Sequence, residues 1–125
     1  MKTSQNKFPA KARTVILEVR SLADTLSDMA RAMGTGKTSE PRIAFDSPAL
    51  LFKTMTQKRW ELLVAMQGVG AISLREAARR VRRDVKAVHG DVHALLNTGI
   101  LQKTDDGMIV FPFDSVRVDF MLLAA

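Results

Sequence analysis

Apolar and polar residues change rhythm several times along this chain, and each change predicts an element. Over residues 14–20 they alternate, with Val15, Leu17 and Val19 on one side, which predicts a strand buried on that face. Ser21 then offers an N-cap, with Asp24 in the capping-box position. Leu22, Leu26, Met29 and Met33 recur at helical spacing, so residues 21–33 read as an amphipathic helix. Residues 34–41 (GTGKTSEP) have the composition of a linker. Residues 42–45 form a short strand candidate, and Ser47-Pro48 is a helix start, because Pro suits the first helical position.

A second block begins at Thr56. Trp60, Leu63, Val64 and Gln67 predict a helix with one buried stripe, ended by Gly68 and Gly70. Ser73 and Glu76 make a capping box, followed by the stripe Leu74, Ala77, Ala78 and Val81. Asp84 caps a further helix whose stripe is Val85, Val88, Val92, Leu95 and Leu96, and Gly99 stands where a left-handed C-terminal cap belongs. Two short apolar runs flank the turn Asp105-Asp106-Gly107 and predict a β-hairpin. Residues 116–122 alternate as a last strand.

The fold expected from this order is α+β: a winged helix-turn-helix with an N-terminal strand-helix-strand extension. The division expected is a flexible basic arm at 1–12, a dimerisation or partner-binding segment at 13–46, and a DNA-binding winged helix at 47–125. The 13–46 segment is too small for a core of its own, so it must pack on the winged helix, a second copy or a partner. A lone strand at 14–20 would leave an open edge for strand addition, and the strand at 116–122 is a candidate to share its sheet.

Charge narrows the function. The 125 residues carry a formal charge of +6 and no Cys, which removes disulfide, thiolate and Cys-ligated metal chemistry. The positive charge is concentrated: residues 73–86 hold Arg75, Arg79, Arg80, Arg82, Arg83 and Lys86 against Glu76 and Asp84. Beside a helix N-terminus such a cluster suits the phosphates of double-stranded DNA. The apolar stripe of the last helix turns Lys86, His89, Gly90 and His93 outward, where they meet base edges or phosphates. The DNA-contacting set read from the sequence is therefore Ser73, Arg75, Arg82, Arg83, Lys86, His89, Gly90, His93 and, in the hairpin, Lys103.

Other chemistries find little support. His89 and His93 stand four apart, as a chelating pair does, but no further His or Cys exists to complete a site. Gly34, Gly36 and Lys37 lack the glycine spacing of a phosphate loop. No acid–base pair or nucleophile motif points to an enzyme, and no cofactor is implied. The apolar run at 15–17 is too short for a signal core, and no segment approaches a membrane span, so a cytoplasmic protein is expected.

Residues 84–95 (DVKAVHGDVHAL) resemble a family of winged helix-turn-helix DNA-binding proteins first described in haloarchaea. Residues 56–63 (TQKRWELL), the capping-box helix at 73–80, residues 97–101 (NTGIL) and the strand at 116–120 extend the likeness over about residues 43–122. Members are often encoded beside a small toxin of the TumE type and act as its antitoxin. The resemblance implies a dimeric repressor that binds its own operator and neutralises a toxin partner. One position departs: the family usually carries Arg where this chain has Gly90. Two alternatives remain open, a small-molecule-responsive winged-helix regulator of the multidrug-resistance type and a winged-helix protein-interaction module.

Overall fold

A computed structural model describes residues 13–20, 24, 26–27, 29–30 and 40–121. The element order is β1 (Thr14–Val19), β2 (Arg42–Phe45), α1 (Pro48–Thr54), α2 (Gln57–Met66), α3 (Leu74–Val81), α4 (Val85–Thr98), β3 (Gln102–Lys103), β4 (Ile109–Val110) and β5 (Ser115–Asp119). The fold is mixed α+β. The arm at 1–12, the Ser21 cap and the linker glycines Gly34 and Gly36 lie outside the described residues. Of the helix expected at 21–33, Asp24, Leu26, Ser27, Met29 and Ala30 are helical, but Leu26 and Met29 are more than half exposed.

Three strands form a parallel sheet in the order β2-β1-β5. The strands at either end of the chain do share a sheet: Val15 pairs with Val116 and Leu17 with Val118. Two expectations need correction. β1 is the central strand and not an open edge. It is also buried on both faces, because Ile16 is 2% exposed and Glu18 is buried beside Val15 and Leu17. Alternation suggested one buried face, but the central strand of a parallel sheet is covered on both. The Arg42 guanidinium donates to Glu18 Oε1 at 2.8 Å, so the buried carboxylate is paired.

Val15, Leu17 and Phe45 from the sheet join Leu51, Leu62, Leu63, Met66, Ala77, Val88, Val92 and Leu95 from the helices in one core. The sheet segment and the helical segment therefore stabilise each other.

Local chemistry sets the helix starts. Ser47 Oγ accepts from Leu50 N at 3.1 Å, Thr56 Oγ1 from Arg59 N at 3.3 Å, and Ser73 Oγ from Glu76 N at 3.0 Å. Each bond satisfies one donor that the first helical turn would otherwise leave orphaned. On α2 the buried stripe is turned from the expected one. Leu62, Leu63 and Met66 are buried while Val64 is 68% exposed. The stripes of α3 and α4 fall where their periodicity puts them.

Candidate nucleic-acid interface

α3 and α4 are joined by a tight turn at residues 82–84, and an unusual backbone makes that turn. Arg82 has φ 57° and ψ 47°, the left-handed region. Its N–H donates to Arg79 O at 3.2 Å, and Arg83 N donates to Ala78 O at 3.1 Å. This bonding closes a helix end at a site that Gly normally fills, because a Cβ costs about 1 kcal/mol there. Arg82 is the only non-glycine with positive φ among the described residues, and it is exposed. Asp84 then starts α4, with its carboxylate accepting from Lys86 N at 3.1 Å.

Around this turn the structure sorts the cations into three groups. Arg79 and Arg80 are spent on Glu76, which they meet at 2.5 and 2.8 Å. Their bonds lower the Glu76 carboxyl pKa against a smaller opposing effect of burial. The Glu76 carboxylate of the expected capping box is thus engaged with side chains.

Arg83 turns inward. Its Nη1 lies 2.8 Å from Asp91 Oδ2, and its side chain is 17% exposed. Arg59 from α2 reaches the same carboxylate, with Nε 3.0 Å from Oδ1, and its Nη1 donates to Thr54 O at 2.7 Å. Burial pushes the Asp91 carboxyl pKa up, but the two guanidiniums outweigh it and hold it below the ordinary value. Arg83, placed among the DNA-contacting residues on sequence grounds, is a brace that ties α2, the turn and α4 together.

Arg75, Arg82, Lys86 and Lys103 make up the third group. All four are exposed, and none has a carboxylate partner among the described residues. Arg75 lies in the first turn of α3, Arg82 in the turn, Lys86 in the first turn of α4 and Lys103 in β3. Ser73, half-buried, uses its hydroxyl as the α3 cap.

The outward stripe of α4 is as expected. Lys86, His89, Gly90 and His93 are exposed opposite Val88, Val92 and Leu95. The two imidazoles touch, Nε2 to Nε2 at 3.0 Å, with ring centroids 4.2 Å apart. One nitrogen must donate and the other accept, so this contact needs at least one neutral ring. No group of three or more His, Cys, Asp or Glu able to hold a metal occurs among the described residues. Among the described residues Gly90 has open space around it: an added Cβ would meet none of their atoms within 4 Å.

The β3–β4 hairpin is tied to the segment just before α3 by a reciprocal pair, Ile72 N to Ile109 O at 2.9 Å and Ile109 N to Ile72 O at 2.8 Å. Its tip is acidic. Asp106 is bonded to the Thr104 hydroxyl, which lowers its carboxyl pKa, and Asp105 stands beside it. An anionic tip disfavours phosphate, so the cationic surface is α3, the turn and α4, with Lys103 behind the tip.

The Arg59–Asp91–Arg83 brace is what sequence reading missed. A signal was present: Asp91 stands three residues after Val88 and four before Leu95, on the flank of the buried stripe. A carboxylate there needs a cationic partner.

Among the described residues, no helix is long and apolar enough to cross a membrane. Residues 54–118, more than half of the chain, match the model of a family described as HVO_A0114. No curated protein matches the chain, and no solved structure does.

Proposed function

The chain belongs to the HVO_A0114 family, and from the surface that the matched stretch builds we propose that it is a sequence-specific DNA-binding repressor. In this reading α2, α3, α4 and the β3–β4 hairpin act as a winged helix-turn-helix. α4 enters the major groove with Lys86, His89 and His93 at base edges, while Arg75, Arg82 and Lys103 hold phosphates. Occupancy of the operator excludes polymerase, so the action is stoichiometric binding and not catalysis. Autoregulation beside a toxin, with this chain as antitoxin, is part of the proposal on the resemblance of residues 84–95, and of the segments that extend it over about residues 43–122, alone.

The observation that carries the reading is Arg82. The chain keeps a guanidinium that has no carboxylate partner among the described residues at a left-handed position that Gly would fill without strain. Strain retained at an exposed cation points to use of that cation. Gly90 makes a complementary case. Mid-helix Gly costs about 1 kcal/mol relative to Ala, and nothing among the described residues fills the space beside it. A backbone approached closely by DNA accounts for it.

Arg82→Gly and Gly90→Ala therefore each raise stability, by about 0.5–1 kcal/mol in urea titration. Each weakens DNA binding in the same preparation. Arg82→Gly also flattens the dependence of log K on log salt by ~0.9. If both variants gain stability and bind DNA as the wild type does, the recognition surface lies elsewhere.

A further inference from the structure

We propose that β5 is the homodimer interface, pairing antiparallel with β5 of a second copy about a two-fold axis at Val118. The argument starts from backbone. β5 is an end strand of the sheet, bonded to β1 along one edge. Ile16 N and Arg20 N donate to β2 or its flank, at Pro41 O and Phe45 O, so the even-numbered residues of β1 serve β2 and the odd-numbered ones serve β5. Ser115 N bonds to Arg13 O, which fixes the alternation on β5. Ser115, Arg117 and Asp119 turn their backbone groups to β1. Val116, Val118 and Phe120 turn theirs outward, to an edge that no other strand pairs among the described residues.

Side chains then select the partner and the register. The two most central registers of β5 pair the copies about Arg117 or about Val118. The first sets Arg117 against Arg117. The second sets Arg117 against Asp119 of the second copy, twice, in the non-hydrogen-bonded positions where side chains stand closest. Within one chain these two groups already lie on one face, 3.6 Å apart and more than half exposed. The edge is thus self-complementary in charge, as an isologous two-fold contact requires.

The Val118 register also sets Phe120 of the second copy opposite Val116. Val116 lines a groove of about 180 Å³ together with Trp60, Leu63, Val64, Gln67 and Phe111. An apolar cavity of roughly 150 Å³ accommodates benzene, so the groove has room for a ring. Phe52, 58% exposed, stacks edge-on against Phe120 at 5.6 Å and extends the apolar rim. Pairing covers Val64, Val118 and Phe120, which are otherwise exposed, and gives a continuous six-stranded sheet.

The proposal deepens the repressor reading and rests on it only for the use of the dimer, which is to present two α4 helices to a palindromic operator. Its test contains no DNA, so failure here leaves the DNA reading standing. The full chain is measured by sedimentation velocity over micromolar concentrations, with circular dichroism as the check on folding. The wild type is a dimer. Arg117→Asp places like charges opposite each other twice and raises the dimer Kd at least about 30-fold. Adding Asp119→Arg to it restores the dimer. Val118→Pro, which removes the N–H of the central pair, gives a folded monomer. A wild-type monomer at about 100 μM, a concentration at which even a micromolar dimer is formed, or a dimer insensitive to Arg117→Asp, overturns the proposal. A double variant that stays monomeric overturns the register.

Discussion

Asp91→Ala lowers the stability of this protein by about 3 kcal/mol, the size expected when one partner of a buried ion pair is removed. Arg59 and Arg83 converge on this one carboxylate, at 3.0 and 2.8 Å, from α2 and from the turn between α3 and α4. Without it, two mostly buried guanidiniums face each other with nothing between them. The loss is a fall in midpoint temperature of roughly 10 °C. Replacing the whole brace, with Asp91→Leu, Arg59→Met and Arg83→Met together, is close to neutral, because desolvation of the three charges is then no longer required.

The same group makes stability depend on acid. The Asp91 carboxyl titrates below its ordinary value of 3.8 in the folded protein. Its contribution is present above that ordinary value and is lost as pH falls through the lower, folded one. Wild type therefore loses more stability below about pH 4 than Asp91→Asn does, the lowered carboxyls of Glu76 and Asp106 being common to both. Chemical denaturation from about pH 2 to about pH 7, which spans carboxylate titration, reads both effects. An Asp91→Ala variant as stable as wild type would show that the brace is not a structural element.

The second large effect concerns DNA. Removing Arg75, Arg82 and Lys86 together, each to Ala, lowers affinity roughly 10²-fold at physiological salt and reduces the slope of log K against log salt by about 1.8, at ~0.9 for each of the two phosphate contacts made by Arg75 and Arg82. Arg79→Ala with Arg80→Ala does much less, because Glu76 already neutralises part of their charge. Fluorescence anisotropy on a labelled duplex over a salt series measures both. Equal losses from the two sets would mean that binding follows net charge and not the sorted surface.

Local signals in the sequence predicted local structure well. Ser47, Ser73 and Asp84 cap helices where the sequence predicts their starts, because a cap depends on two or three neighbouring residues; Thr56, at the start of the second block, caps α2 in the same way. Gly99, with φ 92°, ends α4 for the same reason. What escaped depended on distant residues. The strand at 14–20 looked half-buried because alternation reports one strand and not its neighbours, and β2 and β5 join it from far along the chain. The stripe on α2 was displaced because Val64 faces the groove beside β5, where the core does not reach. Within the candidate interface, the exposure of Lys86, His89, Gly90 and His93 followed from the apolar stripe of α4. The sorting of equal-looking arginines did not, since it turns on which carboxylate each one reaches: Glu76 for Arg79 and Arg80, Asp91 for Arg83, and none among the described residues for Arg75 and Arg82.

A protection footprint of the purified full chain on the DNA upstream of its own gene, at physiological salt, tests the central claim most directly. The account predicts a short protected inverted repeat, with protection lost in the Arg75, Arg82 and Lys86 variant. Uniform salt-sensitive coating with no bounded site, or no binding at all, would contradict it.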